Sequence, residues 1–103
     1  MGAEQFVNYS LGKNAKDAFK SAKEVAQYER GHGGYSGTIA EKDSFKMVTP
    51  NAGESPSECV HRCSDDPNHF SDDKWGPAGC VDAGPAPKHP GFNEYIFFGY
   101  ASS

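Results

Sequence analysis

Residues 28–42, YERGHGGYSGTIAEK, set His32, Tyr35, Ser36, Thr38 and Lys42 among four glycines. Gly33 and Gly34 leave backbone amides open beside hydroxyl and imidazole groups, a composition suited to holding an anion in a nest of N–H donors. Ser36 or Thr38 would donate to that anion and Lys42 would add charge. Trp75 stands between Asp73-Lys74 and Gly76-Pro77. Its indole either anchors the surrounding loop to the fold or, with Phe97, Phe98 and Tyr100, offers an aromatic wall for a planar group. The set His32, Gly33, Gly34, Tyr35, Ser36, Thr38, Lys42 and Trp75 therefore reads as a site for a small anionic or nucleotide-like ligand.

A phosphate-cradling loop runs from a strand into the N-terminus of a helix, where free N–H groups and the positive end of the dipole face the anion. Here the glycines follow a helical pattern and precede an extended one, so the P-loop and dinucleotide-binding readings fail on topology. The plain alternative is a left-handed cap at Gly31 followed by a turn.

Cys59 and Cys63, at i and i+4, share a helix face; with Cys80 and His69, or His61 on another face of that helix, they contain the ligand types of a structural zinc site, though not in the spacing of a finger or ribbon. No cofactor is otherwise expected, and free cysteines commonly serve as small buried hydrophobes. Asp65-Asp66 and Asp72-Asp73 lack the alternating ligands of a calcium loop and read as solvated turn acids. Lys16, Lys20 and Lys23 line one helix face, solvated or meeting an acidic partner. His32 with Ser36 and Asp43, or Cys80 with His89, can be written as catalytic sets, but no spacing forces them together, and the balance leans away from an enzyme.

These residues need elements to hold them. EQFVNYS (4–10) reads as a strand. Asn14 caps AKDAFKSAKEVAQYER, whose apolar residues at 15, 18, 19, 22, 25 and 26 have helical spacing; a helix over 14–30 is expected, burying alanines with Phe19 and Val25. YSGTIA (35–40) and SFKMV (44–48) read as a hairpin around Glu41-Lys42-Asp43. Ser55-Pro56-Ser57-Glu58 combines an N-cap, a first-turn proline and a capping-box glutamate, predicting a short helix near 56–64. AGCVDA (78–83) is a strand, 83–91 a Pro/Gly connection, and EYIFFGYA (94–101), apolar on both faces, a central strand. The expected fold is α+β: one domain over 1–103, with a mainly antiparallel sheet of four or five strands and the long helix across it in two layers.

In 103 residues Val, Ile and Leu number eight, while aromatics make up 13%. Such a core is small, and a homo-oligomer is expected. A net charge of −4 argues against general DNA binding, which needs many basic contacts. The opening residues carry no apolar run, so neither a signal peptide nor a membrane span is expected. Three cysteines, an odd number, fit reduced thiols and a cytoplasmic setting.

The blocks GHGGYSGTIAEK, DKWGPAGC and IFFGYASS, with helix 14–30 before them, resemble small uncharacterised proteins encoded by bacteriophages and some bacteria. The resemblance implies a phage-type accessory protein of the host cytoplasm and brings no catalytic residue. Three functions follow as expectations: an oligomeric binding module for the ligand above, an interaction factor that docks on and inhibits a host protein or counters its defences, or a small enzyme using His32 or a cysteine.

Overall fold

The computed structural model describes residues 2–30 and 37–102. Strand β1 (Ala3–Gly12) leads into helix α1 (Ala15–Arg30); then come β2 (Phe45–Met47), α2 (Pro56–Ser64), β3 (Ala78–Pro85) and β4 (Asn93–Ser102). The sheet order is β1-β4-β3-β2. β4 pairs antiparallel with both β1 and β3, while β2 runs parallel to β3. The α+β class and the central position of the apolar strand β4 agree with the sequence. No helix among the described residues is long and apolar enough to cross a membrane.

Alternation along β4 divides the interior. Tyr95, Phe97 and Ala101 face α1 and pack with Phe6, Ala18, Phe19, Ala22, Ala26, Ile39, Ala78 and Cys80. Ile96 and Phe98 face the other way and pack with Cys59, Val60, Cys63 and Val81. The short helix α2 thus covers the sheet face opposite α1, adding a layer that its length alone did not suggest. Alanines on α1 let that helix lie close to the sheet, and Ser10 Oγ ties the two by donating to the Ala18 carbonyl at 2.8 Å. On the other face the Phe98 ring lies directly over Gly79, its cross-strand neighbour, in space that a Cβ would occupy.

Caps begin the helices where the sequence places them. Asn14 Oδ1 accepts the Asp17 N–H at 2.9 Å. Ser55 and Glu58 form the reciprocal capping box of α2, with bonds of 3.0 and 3.1 Å. Val25 departs from expectation: it is 54% exposed, standing beside the sheet edge rather than inside the core.

The expected hairpin over 35–48 does not form. Residues 35 and 36 lie outside the described residues, and Ile39–Glu41 is a 3-10 turn. Thr38 Oγ1 caps that turn by accepting the Ala40 N–H at 3.2 Å, and Ile39 is wholly buried against α1. One apolar side chain inserted from a turn replaces the alternation that had suggested a strand. β2 is then free to join β3 in parallel, with Phe45 against Phe19 and Phe97 at centroid distances of 4.9 and 5.6 Å.

Candidate functional site

Of the expected ligand site, His32, Gly33, Gly34, Tyr35 and Ser36 lie outside the described residues. The remaining members, Thr38, Lys42 and Trp75, come to one end of the sheet. Gly37 donates its N–H to the Ser102 carbonyl at 2.8 Å, and Ser102 pairs with Ala3 at the start of β1. Lys74 reaches the same end, with Nζ 3.5 Å from the Gly2 carbonyl.

Lys42 joins these segments from within. It is 1% exposed, and its ammonium donates to the carbonyls of Asp73 (3.2 Å), Lys74 (3.2 Å) and Gly76 (2.8 Å). Three N–H donors meet three acceptors, so the buried cation is satisfied without a carboxylate partner in hydrogen-bond contact. Burial pushes its pKa below the usual lysine value, and the charge of Asp73 pulls it partly back. The anion-binding role expected for Lys42 gives way to that of a clamp. Nothing in the sequence marked it, because its acceptors are backbone carbonyls more than thirty positions away.

Trp75 is the counterpart. Its sequence setting suggests a loop anchor or part of an aromatic wall, yet it is 59% exposed. Its backbone N–H donates to Asp73 Oδ1 at 2.9 Å, Gly76 N–H donates to the Asp73 carbonyl at 3.0 Å, and Lys74 Nζ lies 5.4 Å from the indole centroid. Lys42 anchors this loop from below, while Trp75 keeps more than half of its surface exposed. Phe97 and Phe98 are fully buried on opposite faces of the sheet, so neither can form a wall with it.

A groove of about 400 Å³ runs beside this end, between Glu4–Asn8 of β1 and Val25, Ala26 and Glu29 of α1, with Gly37 and Thr38 at its head. Its charged lining among the described residues is acidic, Glu4 and Glu29. That does not favour an anion.

The sheet separates the proposed zinc ligands. Cys80 packs on the α1 side, Cys59 and Cys63 on the α2 side. Burial pushes the Cys80 thiol up to about 12; burial and then the neighbouring Cys63 push Cys59 up to about 11. Both are neutral thiols at physiological pH, not the thiolates that bind zinc or attack carbon. His69 points its Nδ1 at Ser71, accepting the backbone N–H at 3.2 Å with Ser71 Oγ at 2.7 Å. The Cys59, Cys63, Cys80 and His69 set therefore does not assemble, and no group of three or more metal-ligating side chains occurs among the described residues. Cys80 and His89 do not meet either: His89 is exposed in the turn between β3 and β4, while Cys80 is sealed in the core. His32 and Ser36 of the other catalytic set lie outside the described residues.

The acidic pairs are turn formers, as expected from sequence. Asp66 Oδ1 accepts the Asn68 N–H at 2.9 Å, and Asp73 does the same for Trp75. Before α2, Glu54 takes a two-point contact from Arg62 at 2.8 and 3.0 Å and also accepts the Asn51 N–H. The Arg62 hydrogen bond, followed by that from Asn51, holds the Glu54 carboxyl down at about 2.

Comparison with family models, curated proteins and solved structures finds no match to this chain.

Proposed function

We propose that this chain is a small interaction module that presents Trp75 to a partner protein. The supporting observation is the exposed indole on a loop held by three hydrogen bonds from the buried Lys42. A solvent-facing tryptophan on a loop already held in place costs little backbone entropy to bind and buries a large apolar area on contact, the combination found in interface hot spots. The resemblance to phage-encoded proteins suggests a partner in the host cytoplasm, with inhibition of that partner as the outcome.

A photoreactive phenylalanine at position 75 tests this in host cells. A discrete protein adduct is expected at 75 and not at the exposed control position Ala52. No protein adduct above that control overturns the reading. A small-molecule adduct would favour the second reading, an anionic or nucleotide-like ligand stacked on Trp75. That reading draws on the arrival of Thr38 and Trp75 at one end of the sheet, but lacks the charge that Lys42 was expected to supply.

A further inference from the structure

Six large apolar side chains stand exposed among the described residues, and four of them, Val7, Tyr9, Val25 and Tyr28, belong to β1 and to α1 packed beside it. Val7 and Tyr9 project from β1 on the face that α2 covers farther along the sheet, while Val25 and Tyr28 stand on α1 above the opposite face. Between them lies the outer edge of β1. Among the described residues it pairs only with β4 in the sheet, and the groove lined by five consecutive residues, Glu4–Asn8, follows that edge.

Natural edge strands are commonly short, interrupted by proline or a bulge, or charged. β1 is long for an edge: it runs ten residues, AEQFVNYSLG, without proline and in unbroken register against β4, with Glu4 near its start as the one charge. The opposite edge is protected. β2 has three residues with Lys46 at its centre.

We infer that β1 is a dimerisation edge, pairing antiparallel with β1 of a second copy of this chain about a two-fold axis near Val7. The contact is self-complementary. Helix α1 returns over β1, so Glu29 lies toward Glu4 while Ala18 lies toward Ser10. An axis near Val7 and Val25 therefore keeps the Glu4 and Glu29 of one copy away from those of the other, setting them toward its Ser10–Leu11 end, and brings the valines and Tyr28 into the contact. A stable interface buries roughly 800 Å² per partner, about an eighth of the 6125 Å² surface of this chain. An edge strand flanked by apolar side chains on both faces is suited to supply it. Closure follows as well, because the short charged β2 edges left outside do not extend the sheet.

Sedimentation velocity across a concentration series is the test, combined with hydrogen exchange. The intact chain is expected at twice its 11.1 kDa mass, with amides of β1 losing protection on dilution while those of β3 keep it. Val7→Lys and Tyr28→Lys are each expected to leave a folded monomer at concentrations where the unmodified chain is dimeric. Tyr28 is 91% exposed, so its replacement does not disturb the core. A monomer at all concentrations overturns the inference. So does a dimer that both variants leave intact, or one whose β1 amides exchange independently of concentration. None of these outcomes bears on Trp75, which lies on a separate loop.

Discussion

Lys42 and Trp75 divide between them the roles that residue type would assign the other way round. The lysine is inside, its charge distributed over three carbonyls, and the tryptophan is outside. Hydrogen bonds from a charged donor are worth about 1.5–3 kcal/mol each when a partner is removed, more than neutral ones. Lys42→Met retains the side-chain length and loses the donors, leaving three carbonyls to find water. We expect a loss of about 2 kcal/mol, at the low end because the 73–76 segment can open to solvent. Trp75 is the single tryptophan, so the loop reports on itself: its fluorescence anisotropy should fall and acrylamide quenching should rise in Lys42→Met before global unfolding. Unchanged anisotropy would mean that the clamp does not hold the loop, and the basis for a fixed indole would be gone.

At the scale of elements, the turn Phe70–Asp72 depends on a histidine acting as a cap. His69 Nδ1 accepts the Ser71 N–H, and its ring lies 4.4 Å from that of Phe70 and 6.0 Å from that of Phe98. Burial pushes its pKa below 6.5, with Asp66 opposing. A proton on Nδ1 cannot coexist with the Ser71 amide bond, so the folded state favours the neutral ring. The unfolded chain therefore binds the proton more readily, and stability rises with pH across the interval. The His69 contribution is complete above 6.5 and is lost as pH falls through the lower folded value. The denaturant midpoint should drop between pH 7.5 and 5, and His69→Asn, which keeps a capping acceptor without the titration, should flatten that part of the profile. An identical slope in the variant would assign the effect elsewhere.

For the whole molecule, the sheet acts as a partition. Three cysteines that composition groups together are distributed to two cores, all buried and unpaired. The native protein should resist a thiol reagent at neutral pH and release three equivalents in denaturant, at a rate set by unfolding rather than by reagent concentration. Fast modification of any thiol in the native state would contradict the two-sided packing. Protection lost from Cys59 and Cys63 before Cys80 would show α2 opening ahead of the α1 core, a form of sub-global unfolding that a helix of nine residues on a sheet face permits.

Local signals carried the elements they physically determine. The helical spacing of residues 15–26, the Asn14 cap, the Ser55–Glu58 box and the two-sided apolarity of 94–101 each act within a few residues, and each appears in the structure. The α+β class followed from them. Tertiary packing decided the rest, because the deciding contacts join residues far apart in the chain. Insertion of Ile39 into the α1 core turned an apparent hairpin strand into a 3-10 turn, and parallel pairing with β3 placed β2 at the far edge. The acceptors of Lys42 became visible only when the chain closed on itself, and the sides taken by Cys59, Cys63 and Cys80 only when the sheet had two covered faces. Sequence spacing determines what a residue can reach locally; burial, charge satisfaction and the face a side chain takes are properties of the assembled fold.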